Sequence, residues 1–177
     1  KSGLEKEVLK LKETVFQSDG NITIDYTVWL PATNKLKIEN KFGDVFIGDY
    51  KGNVDINLSN GNLKSHNFTG KLNLTLNFAD ATINTIQSGN LNCNFSEVYI
   101  KEAESLIIKS KSTKFEFLEI KNLDADSRRD NFRIRLVDIL EARGSFSNFR
   151  INELTDRLDL RAEYGDLDID KTAADFS

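Results

Sequence analysis

The chain has 177 residues, of which 39% are hydrophobic and 29% charged, with a net charge of −4 and a pI near 5.2. That content can bury one substantial core, and the acidic balance argues against general nucleic-acid binding, which wants a basic face. A single cysteine excludes an internal disulfide framework, no apolar stretch approaches the length of a membrane span, and the first residues lack the apolar segment of a signal peptide.

The first 35 residues read as an N-terminal cap. A strand is expected from about Val8 to Gln17, then a turn at Ser18-Asp19-Gly20-Asn21, then a strictly alternating strand from Ile22 to Leu30. Together these make a hairpin, or a first incomplete coil, over the open N-terminal end of a repeat array that starts at Leu36. Trp29 points opposite to Ile24, Tyr26 and Val28, so it is either exposed or packed on the first strand. Pro31, the sole proline, ends this segment at a place where a missing N–H costs no ladder hydrogen bond.

From Leu36 a pattern begins that recurs to the end of the chain. Counting Leu36 as zero, apolar residues fall at plus two (Ile38), plus nine (Val45), plus eleven (Ile47) and plus fourteen (Tyr50). The frame restarts at Val54, Leu72, Leu91, Leu106, Leu123, Leu140 and Leu158, at spacings of 18, 18, 19, 15, 17, 17 and 18 residues. A fixed period of this size marks a repeat architecture. Within each coil apolar residues alternate with Lys, Asp, Asn, Glu, Arg and Thr, as in half-buried strands, and no run has helical periodicity.

Residues 36–170 are therefore expected to form an all-β parallel β-helix, a β-solenoid of about eight coils, with 171–177 as a tail. Each coil stacks on the last at about 4.8 Å, so like residues form ladders up one continuous core. The chirality of parallel crossovers predicts a right-handed wind, although coils near 18 residues also suit left-handed triangular solenoids. Phe115, Phe132 and Phe149 recur at plus nine and should stack inside. The fourth coil, framed from Leu91, is short by two residues before Phe95, an even number that preserves its parity.

The corners at plus six to plus eight have a signature of their own, as in Phe42-Gly43-Asp44, Phe78-Ala79-Asp80, Phe95-Ser96-Glu97, Phe146-Ser147-Asn148 and Tyr164-Gly165-Asp166. The small residue is expected to take the tight or positive-φ bend, and the aromatic before it to cover the end of the core.

These corners, with Tyr26-Thr27-Val28-Trp29-Leu30-Pro31 and Asn40-Lys41-Phe42-Gly43-Asp44-Val45, resemble the adhesin domains of unknown function in Bacteroidetes surface and envelope proteins. The resemblance covers roughly residues 22–170 and departs at Asn60, Ser112 and Arg129, which replace the corner aromatic. It implies a β-helical, exported, extracytoplasmic module. From the residues themselves no nucleophile–base–acid set, metal cluster or phosphate loop can be assembled, so a non-catalytic module without metal or cofactor is expected, with a glycan or another envelope protein as its partner.

Two surface features compete as sites. Arg133 and Arg150 stack at plus ten with Arg135 at plus twelve, a basic patch suited to acidic glycans or phosphate head groups; with Trp29 these are the candidate ligand-binding residues. The plainer reading is a solvated face balanced by Glu116 and Asp168. Asp124, Glu141 and Asp159 at plus one, beside Arg143 and Arg161, are the carboxylate row that a polysaccharide-active β-helix enzyme would use; ordinary cross-strand charge pairing is the alternative. His66 has no second histidine or cysteine near it and reads as a surface residue, while Cys93 reads as a small core hydrophobe. A spacer that holds another segment at a distance is the third functional class.

Overall fold

The computed structural model describes residues 10–18 and 21–173, and every regular element in it is a strand. β1 (Lys10–Ser18) and β2 (Asn21–Trp29) pair antiparallel, with Val15 opposite Ile24 and Leu11 opposite Val28. The expected beginning of this hairpin at Val8 and the turn residues Asp19 and Gly20 lie outside the described residues. Among the described residues the hairpin is a sheet of its own, hydrogen-bonded to no strand of the solenoid. Val15, Tyr26, Val28 and Trp29 are exposed on it. The segment after it packs on the core: Leu30 and Ala32 lie against the cluster, and the Ala32 carbonyl accepts from the N–H groups of Lys51 and Gly52.

The remaining strands form the stacked coils of a parallel β-solenoid. They are β3 (Leu36–Asn40), β4 (Val45–Ile47), β5 (Val54–Ser59), β6 (Asn62–Asn77), β7 (Asp80–Asn94), β8 (Glu97–Lys111), β9 (Lys114–Arg128), β10 (Asn131–Ser145), β11 (Asn148–Glu163) and β12 (Leu167–Thr172). From β5 onward each strand pairs in parallel with the next in sequence, and β4 pairs with β6. The ladder continues through Lys171 and Thr172, opposite Glu153 and Leu154, two residues beyond the expected boundary.

Ladders of like residues make the core. Val54, Leu72, Leu106, Leu123 and Leu140 form one column; Ile56, Leu74, Leu91, Ile108, Ala125 and Ala142 another; Phe115, Phe132 and Phe149 a third, and all are buried. The expected phenylalanine ladder is present, with centroids 4.7 Å apart at both steps and interplanar angles of 11° and 6°. On the outside, asparagines run in ladders too: Asn73 donates its amide to Asp55 and Asn90 to Asn73, and Asn94 donates to Asn77. Such ladders satisfy side-chain polar groups coil by coil.

The fourth coil begins two residues earlier than the sequence frame. Gly89, not Leu91, pairs with Leu72 and Leu106, while Leu91 pairs with Leu74 and Ile108. The coil starts are thus spaced by 17 residues rather than 19 and 15, and no residues are omitted before Phe95. Gly89 offers no hydrophobic signal, yet it fills an inward position because its neighbours fill the space: an added Cβ would lie 3.1 Å from Leu106 Cδ2 and 3.2 Å from Leu91 Cδ1. The same shift places Cys93 at plus four, in a buried column with Leu58, Leu76, Ser127 and Gly144 that the four-column frame lacks.

The corners also differ from expectation. The positive φ falls on the residue before the small one: Asn60 (53°), Phe78 (52°), Phe95 (53°), Ser112 (53°), Arg129 (59°), Phe146 (57°) and Tyr164 (55°). Only in the first coil does a glycine take it, at Gly43 (112°). The aromatics accordingly point outward and do not cover the core. It is the small residue that turns in, and Ala79, Ser96, Thr113, Asp130 and Ser147 are all buried. One left-handed residue sends two successive side chains outward, so alternation resumes at plus seven with the inward parity needed for plus nine and plus eleven.

Candidate functional site

From Asn60 onward the left-handed corner of each coil stacks on that of the previous one, and from Asn60 to Phe146 its N–H is hydrogen-bonded to the next coil. The corner N–H donates to the next coil: Asn60 to the Asn77 carbonyl, Phe78 to Asn94, Phe95 to Lys111, Ser112 to Arg128, Arg129 to Ser145 and Phe146 to Glu163. The inward residue after it accepts in turn, as the carbonyls of Gly61, Ser96, Thr113 and Asp130 do from Asp80, Lys114, Asn131 and Asn148. This hydrogen bonding holds bulky residues in a conformation that costs each roughly 1 kcal/mol or more.

The result is an exterior ridge that runs from coil to coil. In coil order it carries Phe42, Asn60, Phe78, Phe95, Ser112, Arg129, Phe146 and Tyr164. Its aromatic side chains retain 77% (Phe42), 62% (Phe78), 46% (Phe95), 52% (Phe146) and 80% (Tyr164) of their exposure. Phe78 and Phe95 stack at 4.9 Å with planes 3° apart, and Phe146 and Tyr164 at 5.1 Å and 14°. The Lys111 ammonium lies 5.7 Å from the Phe95 centroid, over its free face. Between the two pairs the ridge is cationic: Arg128 and Arg129 are exposed, and neither they nor Lys111 has an ion-pair partner among the described residues. At the periphery Lys114 pairs with Glu97 at 3.3 Å.

The residues expected to bind ligand lie elsewhere. Arg133 and Arg150 are neighbours in register, but their column runs Glu116, Arg133, Arg150, Asp168. Arg150 Nε lies 3.5 Å from Asp168 Oδ2, and Arg135 pairs with Glu119. This face brings the two arginines together between Glu116 and Asp168, with Arg150 ion-paired and Arg133 in register with Glu116. Trp29 is 52% exposed on the separate hairpin and is not part of that face.

The carboxylate row forms as a row. Asp124, Glu141 and Asp159 are successive partners across β9, β10 and β11, beside Arg143 and Arg161, in a shallow depression. Glu141 pairs with Arg157. The three carboxylates line one sheet surface in single file rather than facing one another across a groove, whereas acid–base attack on a glycosidic bond wants carboxyls on opposite sides of it. Among the described residues no group of three or more metal-ligating side chains assembles. His66 is exposed and meets Phe46 edge to face at 5.4 Å.

One polar cluster is buried beneath the ridge. The Asp130 carboxylate accepts from Thr113 N–H (2.7 Å), Ser110 Oγ (2.7 Å) and Arg128 N–H (2.9 Å), and the Asp130 N–H donates to Ser147 Oγ at 3.2 Å. Burial pushes the Asp130 carboxyl above its ordinary value against the pull of those hydrogen bonds. Burial, with the nearby Asp130 charge, pushes the Cys93 thiol up to about 12. The Thr113 hydroxyl caps this corner by donating to the Cys93 or Lys111 carbonyl, each 3.1 Å away. These groups hold the Arg128–Asp130 bend in place, and so position the cationic part of the ridge; buried as they are, they present no nucleophile to solvent.

Sequence reasoning finds the corner aromatics as a pattern and misplaces their direction. The signal available was Asn60, since Asn in the aromatic's column marks a left-handed position. Comparisons with family models, with curated proteins and with solved structures found no match to this chain.

Proposed function

We propose that this chain is a non-catalytic module of a cell envelope or surface, an adhesin-like binding or scaffolding domain whose contact edge is the aromatic ridge. The observation that carries the reading is the placement of Phe78, Phe95, Phe146 and Tyr164 at left-handed corners, exposed and stacked. A fold needing only the bend would use Gly or Asn there, as Asn60 does. Exposed rings in a strained backbone contribute nothing to the core, and aligned apolar residues on a surface mark an interaction edge. The extracytoplasmic setting rests on the resemblance of the corners to the Bacteroidetes adhesin domains.

The test is retention of the labelled protein on envelope fractions and on a glycan array, with release of reducing ends assayed in the same wells. A variant with Asn at positions 78, 95, 146 and 164 serves as the control. Saturable retention that this variant loses, with no sugar ends released, supports the module. Release of ends that Glu141→Gln abolishes would transfer the function to the carboxylate row, and retention indifferent to the ridge variant would sink the ridge as the contact edge.

A further inference from the structure

Resting on that reading, we infer that the ridge binds an anionic lipid surface, inserting Phe78, Phe95, Phe146 and Tyr164 between head groups while Lys111, Arg128 and Arg129 meet the phosphates. Three features of the ridge select this ligand. First, the rings stack on one another along the solenoid axis, so their faces are covered and their edges project. Face-on stacking of a sugar has only the ends of each pair available, and the Phe95 end is taken by Lys111. Edges projecting in a row suit insertion into an apolar medium.

Second, the ridge is an outer corner whose residues repeat in register from coil to coil. Six coils from Phe78 to Tyr164 place the outermost rings roughly 24 Å apart at the spacing of stacked strands. Small ligands are held in concave sites, whereas exposed rings repeated along an outer corner can meet an extended interface at several points. Third, the charge and the rings alternate as an interfacial surface requires. An aromatic pair, a cationic segment and a second aromatic pair come in order, and the three cations have no competing carboxylate partner among the described residues. Aromatic residues favour the head-group level of a bilayer, and basic residues beside them are drawn to anionic lipids. The overall charge of −4 does not oppose this, because attraction at the surface is local to within a Debye length.

The experiment is flotation of the purified protein with vesicles of phosphatidylcholine alone and of phosphatidylcholine mixed with phosphatidylglycerol. Two variants accompany it. One replaces the four aromatics by Asn, a residue at ease in the left-handed conformation and already present at Asn60, so the fold is retained. The other carries Lys111→Gln, Arg128→Gln and Arg129→Asn. Urea midpoints at or above the parent's confirm that both are folded.

The expected result is binding to the anionic vesicles that weakens with salt. Partitioning should fall on the order of 100-fold in the cationic variant, from three basic contacts, and at least about tenfold in the aromatic one. Absence of parental binding, equal binding to both vesicle types, or binding unaffected by either variant would each overturn the inference. If vesicles are not bound while retention on envelope fractions or an anionic glycan still depends on the ridge, the lipid assignment falls and the contact edge stands.

Discussion

Truncating Phe132 probes the core where it is most regular. The ring is 0% exposed and sits 4.7 Å from both Phe115 and Phe149, whose backbones are its register partners on either side. Phe132→Ala removes the ring's burial and leaves a cavity, a combination that costs about 3–5 kcal/mol. Collapse cannot recover much of it, because the flanking rings are fixed by ladders one coil away. Two stacking contacts, each about 0.5–1.5 kcal/mol, disappear as part of that loss. Phe132→Leu keeps most of the apolar volume but neither stack, and should cost about 1–2 kcal/mol. Urea unfolding monitored by circular dichroism measures both. Because each coil contacts only its neighbours, the alanine variant should also unfold with a lower slope, the C-terminal coils separating from the rest. A Phe132→Ala protein within about 1 kcal/mol of its parent would refute the inward ladder and the rigidity assigned to it.

Three further outcomes test other parts of the structure. Cys93, buried with its thiol pushed up to about 12, should react with a thiol reagent only after unfolding in urea, and rapid reaction in buffer would remove it from the core. Gly61→Ala sets a Cβ 2.0 Å from the Gly43 carbonyl oxygen, a backbone atom that cannot swing away, and should cost about 3 kcal/mol or more, whereas Gly48→Ala has nothing within 4 Å and should lie within about 0.5 kcal/mol of the parent. Asp130 has a folded-state pKa above its ordinary 3.8, so the folded chain binds its proton the more tightly; its contribution to stability therefore falls as pH rises from 3.8 through the raised value, and Asp130→Asn should remove that slope from a series of urea midpoints.

The solenoid was legible because its core obeys a rule that sequence displays, namely apolar residues at fixed intervals. Val54, Phe132 and Ile151 declare their columns by type alone. The fourth coil was misframed because Gly89 declares nothing: the space at its position is filled by Leu106 and Leu91 from adjacent levels, a fact of packing rather than of pattern. The plus-four column escaped for a related reason, since after Leu58 and Leu76 it turns to Cys93, Ser110, Ser127 and Gly144. Asp130 is hidden in the same way. Asp at a corner reads as a solvated turn residue, yet here it faces in and is satisfied by Thr113, Ser110 and Arg128. Local composition does not reveal partners that arrive from other coils.

The direction of the corner aromatics was the most consequential of these inversions, and it turns on a single dihedral. In extended backbone a residue two places beyond an inward one also faces in, which is why an aromatic at plus six looks like core. A φ of 52–59° at that residue rotates it out and brings its small successor in. The chain therefore contains two phenylalanine ladders with nearly the same spacing, 4.7 Å inside and 4.9 Å on the ridge. Burial accounts for the inner one. Folding needs less than the outer one supplies: Asn or Gly would relieve the strain at the same corner, and the stacked rings stay 46–80% exposed. A surface that keeps costly rings where cheaper residues suffice, and sets unpaired cations between them, has the composition of a contact edge rather than of a structural corner.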